Sequence, residues 1–134
     1  MGLTFFPNGL SVSGFAGPAG ATFTIGAEAG NVINVAVQLL DGAGDAMATR
    51  SAVGFYLSSD ANGDAVVAAA TSLAIGTDGV ALEYISNSAG VLVSEADGDI
   101  DINIGDASGA ATYYLVLIMP SGELVVSSAI TFAA

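Results

Sequence analysis

The chain has 134 residues, enough for one domain, and sets 13 Asp and Glu against a single basic residue, Arg50, for a formal net charge of -12. Without cations it cannot neutralise phosphates, so nucleic-acid binding by charge is excluded, and an anionic membrane surface repels it. With no His and no Cys it has no imidazole base, no Ser-His-Asp triad, no thiolate nucleophile, no disulfide and no structural zinc site of the usual kind.

The first charged residue is Glu28, and everything before Ala21 is apolar and Gly-rich, with Pro7, Pro18 and an Asn8-Gly9 turn signal. Leu3, Phe5, Phe6, Leu10, Val12 and Phe15 are a heavy apolar load for a leader. Two readings of residues 1–20 stay open. They are first strands packed on the core, or a short apolar N-terminal arm that docks on another subunit. The second reading makes Leu3, Phe5, Phe6, Leu10 and Phe15 partner-binding residues. The segment lacks the positive n-region of a signal peptide, so synthesis inside a cell is expected.

Residues 21–134 read as one all-β domain, because period-two alternation recurs along them. Ala21, Phe23 and Ile25 alternate with Thr22 and Thr24. Ile33, Val35, Val37 and Leu39 alternate with Asn34, Ala36 and Gln38. Val53, Phe55 and Leu57 form a third set, and Ile100, Ile102 and Ile104 alternate with Asp99, Asp101 and Asn103. Each such strand has one buried and one wet face. Tyr113 to Met119 is apolar on both faces, which predicts a central or doubly covered strand, and it is too short to be a membrane helix. The run Leu124 to Phe132 predicts a last strand. Asp64 to Leu73 is Ala-rich and permits a short helix, weakened by Val66, Val67 and Thr71.

Turn signals separate these runs at Asp41-Gly42, Asn62-Gly63, Asp78-Gly79, Asp97-Gly98, Ser108-Gly109 and Pro120-Ser121-Gly122. Many short strands with frequent turns predict an antiparallel β-sandwich. The order Asp106-Ala-Ser-Gly109 then Tyr113-Tyr114-Leu115 is that of an immunoglobulin-type corner, with a Tyr at the start of the next strand bonding back to the corner. Neither the Cys pair nor the Trp of antibody domains is present.

Hydrophobic residues make up 53% of the chain and charged residues only 10%. Either the core is large for the chain, or apolar surface is covered by a partner or by further copies. The acidic cluster Glu95, Asp97, Asp99, Asp101 and Asp106 is the candidate for chemistry. Asp97, Asp99 and Asp101 are the calcium candidates, since hard carboxylate oxygens at short spacing suit that ion. Against this, an EF-hand counted from Asp97 puts Ile102 where Gly is required, and one counted from Asp60 puts Ala65 there. The favoured reading is a solvated strand face and no metal. Paired carboxylates can also serve a hydrolase, but no sugar platform or cleft signal accompanies them, so no enzyme and no cofactor is expected. Arg50 pairs with one of the acids, within the chain or across an interface.

From Thr22 onward the chain resembles the Ig-like domain of phage and prophage structural proteins. The resemblance rests on the segments 34–45, 52–64 (Ala-Val-Gly-Phe-Tyr-Leu-Ser-Ser-Asp-Ala-Asn-Gly-Asp), 74–79, 92–101 and Tyr113-Tyr-Leu-Val-Leu, followed by Pro-Ser-Gly and Ala129-Ile-Thr-Phe132. It implies an immunoglobulin-like antiparallel β-sandwich and a virion structural role, as a capsid decoration or cement protein on the outer surface of the major capsid protein shell. It also implies synthesis in a host cytoplasm, homo-oligomers (a trimer at threefold sites), and no nucleic-acid or membrane partner. The alternative is a tail or fibre component that binds a host surface through its loops.

Overall fold

A computed structural model describes residues 17–66 and 70–133. In chain order the strands are β1 (Gly20–Ile25), β2 (Val32–Leu40), β3 (Ala52–Ser58), β4 (Ser72–Ile75), β5 (Val80–Ile85), β6 (Ala89–Val93), β7 (Asp99–Gly105), β8 (Ala111–Ile118), β9 (Leu124–Val126) and β10 (Ile130–Phe132). They form two antiparallel sheets. One has the order β1-β2-β7-β4; the other runs β10-β8-β3-β6-β5, with β9 also paired to β8. The protein is an all-β sandwich.

Alternation along the strands builds the core. Ile33, Val35, Val37 and Leu39 of β2 and Ile100, Ile102 and Ile104 of β7 are buried. Their register places Val35 opposite Ile102 and Val37 opposite Ile100 on the same face. Across the gap lie Val53, Phe55 and Leu57 of β3, Leu92 of β6, and Leu115 and Leu117 of β8, all in one continuous cluster. Each fully buried Leu, Ile or Phe contributes about 1.5–3 kcal/mol relative to leaving it exposed. β8 is flanked by β3 and by β9 and β10, as its two apolar faces predict for a central strand.

Tyr113, at the start of β8, bonds back to the preceding turn. The Tyr113 hydroxyl donates to Asp106 Oδ2 at 2.5 Å, and its ring meets Phe132 edge-on at 6.0 Å. The acceptor is a buried carboxylate, which also receives the Ser108 amide at 2.8 Å and the Ser108 hydroxyl. The β2–β3 turn also forms, but its positive-φ residue is Gly44 (φ 85), not Gly42. Asp41 Oδ1 accepts from the amides of Ala43 and Asp45 and holds the chain in a wider loop than a two-residue hairpin.

Two sequence expectations need correction, and one hairpin was not foreseen. The stretch 64–73 contains no helix among its described residues: Val66 makes a β-bridge to Ser58, and Ser72 and Leu73 begin β4. Leu73 is buried opposite Ile104, so tertiary pairing overrides the weak helical composition. The run Leu124–Phe132 is two strands, because residues 127–129 leave the ladder. The hairpin β5–β6, which the sequence reading did not assign, supplies one end of the larger sheet.

Candidate functional site

The calcium candidates are not brought to one point. Asp101 turns its carboxylate to Asn34 Nδ2, to the Thr77 hydroxyl (2.8 Å) and to the Thr77 amide (3.2 Å). These donors, Asn34 foremost, hold its pKa below the ordinary carboxylate value against the effect of burial. Asp97 Oδ1 accepts the Asp99 amide at 3.2 Å, a local turn bond. Asp99 has its pKa raised, first by burial and then by the neighbouring charges of Asp97 and Asp78. Asp106 belongs to the Tyr113 corner. Among the described residues no three carboxylates converge as a group able to hold a metal ion.

Arg50 pairs within the chain. Its Nη2 lies 3.6 Å from Glu95 Oε1 and its Nη1 donates to the Ser94 carbonyl at 3.1 Å. Both partners are well exposed, so the pair contributes under about 1 kcal/mol. The other oxygen of Glu95 accepts the Gly79 amide at 2.9 Å. The loops 60–64 and 95–98 follow opposite ends of β3: Asp60 accepts from Ser58 at its last residue, whereas Ser94 bonds Ser51 before its first. A seven-residue strand, roughly 20 Å, separates them, so they do not form one acidic ligand surface.

The outer faces of the two sheets differ in kind. Directly paired residues point to the same side of a sheet. The outer face of the smaller sheet carries Thr22, Gln38, Asp99, Asp101, Asn34 and Asn103, and is polar. On the outer face of the larger sheet, one row runs Leu82, Val91, Gly54, Ile118, Leu124. The next runs Ile85, Ala89, Tyr56, Val116, Val126, and a third, shorter row is Val80, Val93, Ala52. No residue in these rows is charged. Leu82 (52% exposed), Ile85 (56%) and Leu124 (42%) are open to solvent, as is Tyr84 (78%), which the bulge between Glu83 and Ile85 throws outward.

Gly54 sits where this surface dips. A Cβ there would lie 3.2 Å from the Ile118 side chain, so glycine lets Ile118 fold across β3. Beside it Val66, Tyr84, Ile85, Ala89 and Ile118 line an open groove of about 390 Å³. The Tyr56 hydroxyl is not free for a ligand, since it donates to the Gly63 carbonyl at 2.6 Å. An apolar groove with no convergent polar groups suits the side chains of a packed neighbour better than an oriented small molecule.

Sequence reasoning missed this face. The alternation Val80, Leu82, Tyr84 between Asp78-Gly79 and Asn87 was a strand signal. That its apolar side looks outward was not readable, because Ala81 and Ile85 flank Glu83 on the other side and blur the contrast between the two. The expected partner-binding residues Leu3, Phe5, Phe6, Leu10 and Phe15 lie outside the described residues. No family model, no curated protein and no solved structure matches this chain.

Proposed function

We propose that the protein is a non-catalytic virion component, a capsid decoration protein that packs on the outer surface of a shell of major capsid proteins. The carrying observation is the uncharged apolar outer face of the larger sheet on a chain of net charge -12. Contiguous apolar surface of this kind marks a packing site, since a soluble monomer rarely leaves it open. An interface core is depleted in charge and rich in aromatic and aliphatic side chains, as this face is.

The strand order supports the immunoglobulin-like reading. β1-β2-β7-β4 has the neighbour order of an A-B-E-D sheet, and β10-β8-β3 that of G-F-C. The departure is the β5–β6 hairpin, which lies between the D and E positions and extends the G-F-C side beyond β3. That hairpin supplies Leu82, Tyr84 and Ile85, so the added element builds the face. Copies repeated on a symmetric lattice, as trimers at threefold positions, need no catalytic or cofactor group.

Localisation on intact particles by electron cryomicroscopy tests this. Density for the sandwich is expected over the capsid lattice with the β5–β6 side against its neighbour. Density confined to the tail overturns the decoration role in favour of adhesion, and absence from particles overturns both.

A further inference from the structure

We propose that the apolar groove on the outer face of the larger sheet takes an apolar side chain from a partner protein whose surrounding surface is basic. The proposal rests on the reading of this face as a packing surface, and it names the chemistry of what packs there.

Apolar contact and charge are laid out separately on this face. The groove is lined by Gly54, Val66, Tyr84, Ile85, Ala89 and Ile118 among others, and none of its lining residues is charged. Exposed carboxylates stand at both ends of the strands that carry it. At the end where β3 finishes, burial first and then the Asp64 charge raise the Tyr56 pKa, so that carboxylate stands beside a groove-lining ring. At the same end Glu83 accepts the Asn87 amide at 2.6 Å in the β5–β6 turn, two residues before Ala89. At the opposite end Glu123 precedes Leu124, which pairs with Ile118. Arg50, the single basic residue, pairs with Glu95 and donates to the Ser94 carbonyl, so it neutralises none of the three.

A surface that fits this layout offers apolar side chains at its centre and cations at its edge. Burial of the apolar centre supplies affinity, while the edge charges select the partner and speed the encounter. Tyr84, 78% exposed at the groove, adds a ring on whose face a Lys or Arg can rest. A second copy fits less well, because it brings the same acidic groups and sets one net charge of -12 against another. An acidic protein surface is repelled for the same reason.

Two capped peptides serve as probes, Lys-Lys-Leu-Phe-Lys-Lys and Glu-Glu-Leu-Phe-Glu-Glu. Each is titrated into the full chain and followed by amide NMR at about 0.15 M salt, where distant charges are screened beyond about 8 Å. The basic peptide is expected to shift the amides of Gly54, Tyr84, Ile85, Ala89 and Ile118, and the acidic peptide to leave them in place. Asp64→Asn, Glu83→Gln and Glu123→Gln combined are expected to weaken the basic peptide about tenfold. A control of equal net charge, combining Asp45→Asn, Asp97→Asn and Asp99→Asn, is expected to weaken it less than about twofold. Equal weakening by the two triple variants reports attraction to net charge alone and overturns the proposal. Equal shifts from the two peptides, shifts centred away from the groove, or no binding of the basic peptide also overturn it. Sedimentation of the free protein as a dimer that Tyr84→Ser dissolves overturns it too, and makes a second copy the occupant. The particle localisation is read separately: density on the lattice with a failed peptide result leaves the decoration role standing, and the expected peptide result without density on particles leaves the partner chemistry standing.

Discussion

Ser127 shows what one hydroxyl does for a broken strand. Where the chain leaves the ladder between β9 and β10, Ser127 Oγ accepts the Leu115 amide at 2.9 Å and donates to the Ser128 carbonyl at 2.8 Å. It stands in for the missing backbone partner in a buried position. Ser127→Ala is therefore expected to cost about 1–3 kcal/mol, the penalty of a buried orphan donor, measured by urea denaturation. An unchanged midpoint would contradict that role. The Asp106–Tyr113 pair sets two pH limits. Hydrogen bonds from Ser108 and then Tyr113 lower the Asp106 pKa, so its contribution is complete above the ordinary carboxylate range and fades as pH falls through the lowered value. Burial and then the bond to Asp106 push Tyr113 up to about 12, so its contribution holds below the ordinary value of about 10 and is lost between about 10 and 12. Thermal denaturation against pH is expected to show a shallower acid limb in Asp106→Asn and a shallower alkaline limb in Tyr113→Phe. Limbs identical to those of the parent would refute the assignment.

At the level of elements, the β5–β6 hairpin depends on a close approach that only glycine permits. A Cβ on Gly90 would collide with the Leu82 carbonyl oxygen and stand 2.8 Å from the Glu83 Cα, both backbone atoms that cannot yield separately. The bulge at Glu83–Ile85 lies directly opposite. Gly90→Ala is expected to destabilise by about 1–3 kcal/mol and to loosen β5 first. Hydrogen exchange would show early loss of protection at residues 80–85; uniform loss would place the strain elsewhere. Legibility follows the same chemistry. β2, β3 and β7 were readable because their inner residues are large and apolar and their outer ones differ. β5 was not assigned, because Ala81 and Ile85 beside Glu83 leave its two sides weakly distinguished. β4 was obscured by alanine, whose helical preference is smaller than the gain from seating Leu73 opposite Ile104.

The whole molecule carries nearly all its charge with one sign, and it is distributed unevenly over two sheet faces. Thirteen acids and one Arg repel each other in the compact state, so added salt is expected to stabilise the fold by screening over a Debye length of about 8 Å. The melting temperature should rise between about 0.01 M and 0.15 M salt, and a fall would mean that specific ion pairs outweigh self-repulsion. The sequence by itself determined the all-β class, the inner residues of β2, β3 and β7, the bond of Tyr113 back to the turn before it, and the exclusion of His, Cys and phosphate chemistry. These follow from residue type and from a period of two, which are local. The tertiary structure decided that Arg50 pairs with Glu95, that among the described residues no three carboxylates converge as a metal-holding group, and that the apolar rows on the outer face of the larger sheet carry no charge. Those depend on which strands become neighbours and in what register, and residues distant in sequence meet only after that pairing is made.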